Sequence, residues 1–291
     1  MPNNSNSYPF HPRTLEFLKA YASNLRGSVF IQGFTDSNLS STVDYLINEI
    51  YPLEKDQHPN IYHLPESSIQ ALRNMMQHLI KAAFVSSQPR LIIIDNCHQL
   101  NLVAQNALLK NLEEPISGTH FILTSDQPHQ VLATIKSRCQ VITMRKPLKR
   151  DIWLNWSDQD NRILNQAYWA TDGWPILLES YLQEPNSLIH QEIALGKKFL
   201  QLKLADKLHY IFASTTKSAK DEDFVKFLKS LIQGLYRISR ASLLSMIQQQ
   251  NMEKILIWQN NFLIVNTLKT DLENQLNPKI IALNLSLKLS T

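Results

Sequence analysis

Cysteine is scarce in this sequence of 291 residues, which contains only Cys97 and Cys139. Two thiols cannot form a four-cysteine zinc site, and no Cys-x-x-Cys pair is present. We therefore expect no zinc and no other metal site in the chain. Two cysteines far apart in sequence are typical of reduced thiols in a cytosolic protein.

Long apolar runs are also missing. The longest, such as Leu91–Ile94, are far too short to span a bilayer. The segment Met1–Phe10 is polar and contains proline, so it lacks the charged start and apolar stretch of a signal peptide. These absences predict a cytoplasmic protein without a membrane partner.

The overall composition is that of a globular protein, with 44% apolar and 19% charged residues. The 29 basic and 25 acidic residues give a net charge of +4. This mild excess permits contact with DNA but does not require it. The length indicates two domains, or three small ones.

Short apolar runs in the first half of the chain predict five β-strands: Ser28–Gln32, Ile61–Leu64, Leu91–Asp95, His120–Thr124 and Val141–Met144. The third run is apolar from Leu91 to Ile94 without alternation, which is typical of a strand buried on both faces of a parallel sheet. Segments of helical period separate the runs. Strand–helix alternation of this kind predicts a doubly wound α/β domain at residues 1–146.

Beyond Met144 the pattern is helical throughout. The basic stretch Arg145–Arg150 contains a proline and is predicted to be a solvated linker. A small helical domain is predicted at 147–187, and a helical bundle at 188–291.

The turn after the first predicted strand resembles a phosphate-binding loop that has lost key residues. Such a loop reads Gly-x-x-x-x-Gly-Lys-Ser/Thr, in which backbone N–H groups wrap a phosphate and the lysine neutralises it. Gly33 and Ser40 match the two ends of the pattern. Asn38 replaces the second glycine, Leu39 replaces the lysine, and Asp36 adds a negative charge inside the loop.

These replacements predict that the loop does not bind nucleotide productively, because leucine supplies no cation and aspartate repels phosphate. No Gly-Lys-Ser or Gly-Lys-Thr triplet occurs elsewhere in the chain. The same residues are also compatible with an ordinary strand–helix turn in which Asp36 or Ser37 lies near the helix N-cap.

The third predicted strand ends in Asp95-Asn96. An ATPase of the P-loop class has Asp-Glu here, with the aspartate organising Mg²⁺ and the glutamate positioning water. Asn96 cannot act as a general base. We therefore expect Asp95 to be structural, although it occupies the position of a metal-organising carboxylate.

The third candidate site is Ser137-Arg138-Cys139, directly before the fifth predicted strand. An arginine at a domain edge can stabilise charge on a γ-phosphate held by a neighbouring subunit, with an effect on the order of 10³–10⁵ in rate. The alternative is an ordinary surface arginine, because the tripeptide alone is weak evidence.

Taken together, these segments resemble the bacterial DNA polymerase III clamp-loader family of AAA+ proteins, and within it the delta-prime subunits. The matching runs are Ile94–Asn101, Ala104–Pro115 with its Asn-Ala-Leu-Leu-Lys-x-Leu-Glu-Glu-Pro pattern, Phe121–Ser125, and Ile135–Gln140 with Ser-Arg-Cys. Ser67, Ile69 and Arg73 fall where the family has Ser-Ile-x-x-Ile-Arg. Good matches cover about residues 61–147.

The chain also departs from the family. The four-cysteine module that often follows the family's first helix is absent, and the lid pattern Gly-x-Pro-x-Arg has Leu177 in place of its arginine. Leu39, Asn96 and Leu177 therefore replace nucleotide-handling residues at three independent positions. A degraded loop beside an intact Ser-Arg-Cys is the combination that the resemblance associates with delta-prime.

The resemblance implies an AAA+-type parallel five-stranded sheet domain, a small helical lid and an all-α collar domain. It implies a subunit without ATPase activity of its own, in a hetero-pentamer with gamma or tau and delta subunits that loads a sliding clamp on primed DNA. ATP and Mg²⁺ would be bound by neighbouring subunits, with Arg138 acting in trans and Ser137 and Cys139 supporting it.

Apolar collar positions are expected to form a mixture of core and interface: Leu243, Leu244, Ile247, Ile255, Ile257 and Leu263. Pro128–Gln130 is predicted to begin a helix, more plausibly solvated than bound to DNA phosphate. Two other functions stay open: an active gamma- or tau-like ATPase with its phosphate loop elsewhere, and a delta-like subunit that binds the clamp by itself.

Overall fold

The computed structural model describes residues 9–34, 37–52, 58–81, 89–213 and 221–289. They form two compact units, Met1–Asn155 and Trp156–Thr291, and each is described by itself. The first unit continues past residue 146, where the sequence predicts a domain boundary. The division into three domains stays a prediction.

Within the described residues, the first unit contains a parallel sheet of five strands: β1 (Ser28–Gln32), β2 (Ile61–His63), β3 (Arg90–Ile94), β4 (Thr119–Ser125) and β5 (Cys139–Thr143). The strand order is β2-β3-β4-β1-β5, and all neighbouring strands are parallel. The predicted α/β class and the five predicted strands are confirmed.

Six helices surround this sheet in the described part of the first unit: α1 (Pro12–Ser23), α2 (Leu39–Ile50), α3 (Ile69–Lys81), α4 (Leu102–Glu113), α5 (Ala133–Lys136) and α6 (Lys149–Asn155). Strand β3 has apolar side chains on both faces because each face has its own helical layer. Leu91 and Ile93 pack with the helices α1 and α2, whereas Ile92 and Ile94 pack with α4. Each of these four side chains is fully buried, which stabilises the fold by roughly 1.5–3 kcal/mol apiece.

The linker predicted at Arg145–Arg150 is wrong at its end, because helix α6 begins at Lys149. The N–H groups of Asp151 and Ile152 donate to the carbonyl of Leu148, at 2.9 and 3.2 Å. Ile152 is fully buried, so this segment forms a helix packed through an apolar side chain, where the basic residues suggest a solvated linker.

The second unit is helical throughout its described residues, as predicted for the C-terminal region. Its helices are α7 (Asn161–Ala170), α8 (Pro175–Gln183), α9 (Leu188–Gln201), α10 (Leu204–Ala213), α11 (Asp221–Gln248), α12 (Met252–Glu273) and α13 (Pro278–Lys288). The core lies between α9, α11, α12 and α13 and contains Phe199, Leu235, Val265 and Leu285.

Helices α9 and α11 approach until their backbones touch. A Cβ atom added to Gly234 would lie 1.8 Å from the carbonyl oxygen of Glu192. A buried ion pair lies beside this contact: Nε of Arg237 is 3.1 Å from Oε2 of Glu192. Nη1 of Arg237 also donates to the carbonyl of Ala170, at 2.7 Å. Helix α7 of the predicted lid is therefore joined to α9 and α11 of the predicted collar.

The six collar residues expected as a mixture of core and interface lie outside the buried core. Ile247, Ile257 and Leu263 are exposed, and Leu243, Leu244 and Ile255 are half-buried. Among the helices of the described ranges, none has the length and apolar character needed to cross a membrane.

Candidate functional site

The carboxyl ends of β1, β3 and β4 lie side by side, because these strands are neighbours in a parallel sheet. The segments that follow them contain the loop at Gly33 and the pair Asp95-Asn96. Arg138 lies at the other end, since β5 begins one residue later and Cys139 pairs with Ser28 at the start of β1. The length of β1, roughly 17 Å for five residues, therefore separates Arg138 from the loop that follows β1.

The loop after β1 is filled by one of its own side chains. A Cβ atom added to Gly33 would lie 2.0 Å from Oγ of Ser37. Ser37 is fully buried, and its hydroxyl donates to the carbonyl of Phe34 at 2.6 Å. A phosphate wrapped by this loop would have to displace that hydroxyl. The predicted repulsive residue Asp36 lies outside the described residues.

The start of helix α2 is closed by a side-chain cap. Asn38 has a left-handed backbone (φ 49°), and its Oδ1 accepts from the N–H of Ser41 at 3.3 Å. The N-cap is thus Asn38, whose short amide side chain tolerates positive φ. Ser37 directly precedes it, in agreement with the alternative that placed this residue near the N-cap. Ser40 is exposed, and the residue before it is Leu39 where a phosphate-binding loop has lysine.

Leu39, which stands at the lysine position, points into the protein. It is 8% exposed and packs with Val43, Leu46 and the sheet residue Val29. The chain thus uses the position of a phosphate-binding cation for apolar packing.

Asp95 and Asn96 form a turn that is fixed to β4 by Thr124. The Thr124 hydroxyl donates to Oδ1 of Asp95 at 3.1 Å and accepts from the N–H of Asn96 at 3.0 Å. Asn96 has φ 49°, a conformation that asparagine adopts at low cost. Nδ1 of His63 is 3.9 Å from Oδ2 of Asp95. These contacts describe a structural turn, with the carboxylate half-exposed.

A buried group that sequence reasoning missed lies next to this turn. His98 Nδ1 is 3.1 Å from Oγ of Ser125, and its Nε2 is 3.5 Å from Oδ1 of Asp126. A Ser-His-Asp set can mark a nucleophile, but Ser125 is fully buried and its Oγ accepts from the N–H of Gln127 at 3.1 Å. The group joins the segments after β3 and β4 and offers no exposed nucleophile.

Arg138 is exposed and is held by polar contacts at the amino edge of the sheet. Its Nε donates to Oε1 of Glu113 at 2.7 Å, and its Nη2 lies 2.6 Å from the same oxygen. Nη1 donates to the carbonyl of Thr134 at 2.9 Å. Ser137 Oγ donates to that same carbonyl at 3.0 Å, so the serine supports the turn that carries the arginine.

Cys139 serves as a packing residue in this motif. It packs against the apolar cluster between α4 and the sheet. Burial raises the pKa of its thiol to about 12, so the thiol stays protonated at neutral pH. A protonated, half-buried thiol is neither a strong nucleophile nor a good metal ligand.

The segment that leads to Arg138 is tied to helix α4 by a second residue that sequence reasoning missed. The amide of Gln105 donates to the carbonyls of Leu100 and Gln130, at 2.9 and 3.2 Å, and accepts from the N–H of Leu132 at 2.9 Å. Gln105 is 4% exposed. Pro128–Gln130 forms a single 3-10 turn, which corrects the predicted helix start there.

The remaining predicted position, Leu177, is half-buried in the first turns of α8, after Pro175 at the helix start. It lies in the second unit. Within the described residues, no group of three or more His, Cys, Asp or Glu side chains is arranged to hold a metal ion. The expectations of no zinc and no productively bound cofactor stay predictions.

Comparison with known proteins gives a family match that lies within the first unit. A family described as DNA polymerase III, delta subunit matches residues 6–148. DNA polymerase III subunit delta' of Haemophilus influenzae is 36% identical over 99 residues, which is 33% of this chain and 30% of that protein. Residues 6–148 are thus similar to this family, and the relative from Haemophilus influenzae is a delta' subunit.

The chain is also similar to other proteins of DNA polymerase III. DNA polymerase III subunit tau of Bacillus subtilis is 51% identical over 51 residues, 18% of this chain and 9% of that protein. A crystal structure of a gamma subunit-related protein from Thermotoga maritima covers 94% of this chain and 97% of its own, at 17% identity and a TM-score of 0.46, too low to support a conclusion. The chain matches about a third of the length of the delta-prime relative from Haemophilus influenzae.

Proposed function

We propose that this chain is a delta-prime-like subunit of a DNA polymerase III clamp loader that helps to place a sliding clamp on primed DNA. In this proposal it neither binds nor hydrolyses ATP productively, and it donates Arg138 to ATP and Mg²⁺ held by a neighbouring gamma or tau subunit. The match of residues 6–148 to the family described as DNA polymerase III, delta subunit, and the similarity to delta' subunits support the role in the loader. The residue-level parts rest on geometry.

The observation that carries the loss of nucleotide binding is the filled loop after β1. Ser37 occupies the space against Gly33, and Leu39 is packed into the core. A triphosphate there would lack a cation and would have to expel a buried hydroxyl. Each change alone weakens phosphate binding, and together they leave the loop without a cation and without free space for a phosphate.

The position of Arg138 supports action on another subunit. The arginine and the chain's own phosphate-type loop lie at opposite ends of β1, as the pairing of Ser28 with Cys139 requires. An arginine side chain cannot cover that length, so Arg138 has no route to a nucleotide in its own loop. The side chain of Arg138 is 35% exposed at the domain edge, so a partner can reach it.

The C-terminal helices offer a surface suited to assembly. On α13 the exposed Ile280, Leu283 and Leu287 follow helical spacing on the side away from Ile281 and Leu285, which are buried. Leu256 and Leu263 are exposed in α12. Apolar positions on both sides of the outer helices are typical of helices with a second packing partner. In the proposal, that partner is the collar of the other loader subunits.

Nucleotide binding by the isolated chain tests the first part of the proposal. Titration with a fluorescent ATP analogue and Mg²⁺ is expected to give no saturable binding up to millimolar concentration. A gamma or tau subunit with an intact Gly-Lys-Thr or Gly-Lys-Ser loop serves as the positive control. Saturable binding that unlabelled ATP competes away would favour the active ATPase instead.

The delta-like alternative needs its own test, because the matching family is described as a delta subunit. A delta-like chain would bind the sliding clamp tightly as a lone polypeptide. We expect no stable complex when the isolated chain and the clamp are mixed and separated by gel filtration. Co-elution at micromolar concentration would support the delta-like function.

A further inference from the structure

The ion pair between Arg138 and Glu113 occupies an unfavourable place for a carboxylate. Glu113 is the last residue of α4, and Glu114 is its C-cap. Two carboxylates therefore lie at the helix end where the helix dipole disfavours negative charge. The side chains of the pair are 35% and 48% exposed, so water screens their attraction and the pair contributes little to folding. The main effect of the ion pair is therefore on the position of the Arg138 side chain.

The contacts determine which edge of the guanidinium is used internally. Nε and Nη2 both face Oε1 of Glu113, at 2.7 and 2.6 Å. Because the guanidinium is planar and its donors form a rigid fork, this contact turns the edge formed by Nη1 and Nη2 away from the carboxylate. Thr134 supports Nη1 through its carbonyl at 2.9 Å. Helix α4 thus holds Nε and Nη2 of the side chain, and the turn of α5 holds Nη1.

An arginine held in this way loses less freedom when a phosphate arrives. A free side chain would have to be ordered at the moment of contact, which weakens binding and reduces the fraction of correctly placed encounters. Glu114, one residue away, makes no contact with Arg138 among the described hydrogen bonds and ion pairs.

We propose that Glu113 is the positioning residue of Arg138. It holds the guanidinium so that the Nη1–Nη2 edge meets the γ-phosphate bound by the neighbouring subunit, and it touches no nucleotide itself. This inference rests on the proposed trans role of Arg138. The opposite role, in which Glu113 withholds the arginine from phosphate, predicts the opposite change in rate.

Steady-state ATP turnover by the reconstituted loader, with clamp and primed DNA, tests the inference. The contribution of Arg138 to kcat is the difference in kcat between the wild type and Arg138→Ala. Glu113→Ala should reduce this contribution about tenfold and change KM less than about twofold, because it disturbs only the orientation of the arginine. Glu113→Gln should lose less, since an amide oxygen still accepts from Nε. The matched control Glu114→Ala should leave turnover unchanged.

A double-variant cycle separates positioning from a structural role. If Glu113 acts only through Arg138, then Arg138→Ala/Glu113→Ala should equal Arg138→Ala alone. Two outcomes overturn the inference, provided that Arg138→Ala lowers turnover. One is a lower turnover in the double variant than in Arg138→Ala, and the other is unchanged or faster turnover in Glu113→Ala. If Arg138→Ala itself has no effect, the proposed trans role fails, and this inference fails with it.

Discussion

At the scale of single residues, the filled loop depends on the absence of a side chain at Gly33. The hydroxyl of Ser37 lies where the Cβ atom of any other residue would be. The substitution Gly33→Ala should therefore lower the free energy of unfolding by about 1–3 kcal/mol, the usual cost of overpacking a closed site. Chemical denaturation with urea measures this difference.

Two further variants make that measurement specific. The double variant Gly33→Ala/Ser37→Gly should recover most of the lost stability, because it removes the side chain that the new methyl group would meet. Ser40→Ala, on the exposed side of the first turn of α2, should change stability by less than about 0.5 kcal/mol. If the Gly33→Ala variant is as stable as the wild type, Ser37 does not fill the loop.

At the scale of elements, helix α4 connects the two edges of the sheet. It begins at the carboxyl edge, where Asn101 caps the N–H of Ala104 at 2.9 Å, and it ends at the amino edge with Glu113. Near its start, Gln105 holds the segment at Gln130 and Leu132; at its end, Glu113 holds Arg138. One helix thus supports both ends of the segment that carries the arginine.

The substitution Gln105→Leu should destabilise that segment. It keeps a side chain of similar size but leaves the N–H of Leu132 and the carbonyl of Gln130 without their side-chain partner, which costs about 2–3 kcal/mol in a buried site. Hydrogen exchange of the amide of Leu132 should become faster, whereas the amides of β3 should keep their protection. Unchanged exchange at Leu132 would mean that Gln105 does not brace the segment.

The contacts of α4 also mark the limit of sequence reasoning. The apolar run Leu91–Ile94 and the apolar face of α4 predict their elements because the signal is local and periodic. The contacts of Gln105 with Leu132 and of His98 with Ser125 join residues 27 apart in the chain. They depend on the order of the strands and on the length of a helix, which no local pattern specifies. The position of Arg138 was predicted from its motif, but its carboxylate partner was not.

At the scale of the whole molecule, the chain combines an α/β N-terminal unit with a second unit that is helical in its described residues. The sequence predicts both classes, since strand-like runs end near Met144 and helical period continues from there. It places the first boundary at 146, which stays a prediction, and the compact unit continues to Asn155. Helix α6 begins inside the basic stretch, at Lys149, and its residue Ile152 is buried. Burial of one apolar side chain among charged neighbours is hard to foresee from composition.

The central claim is that the chain has lost its own nucleotide site and acts on a neighbour's ATP through Arg138. The most direct test is the DNA-stimulated ATP turnover of the reconstituted loader that contains Arg138→Ala. We expect the loader to assemble normally by gel filtration. Hydrolysis at the ATP site that Arg138 contacts should slow by a factor on the order of 10³. Total ATP turnover should then fall by the fraction that this site contributes in the wild type. Unchanged turnover in a fully assembled loader would contradict the account.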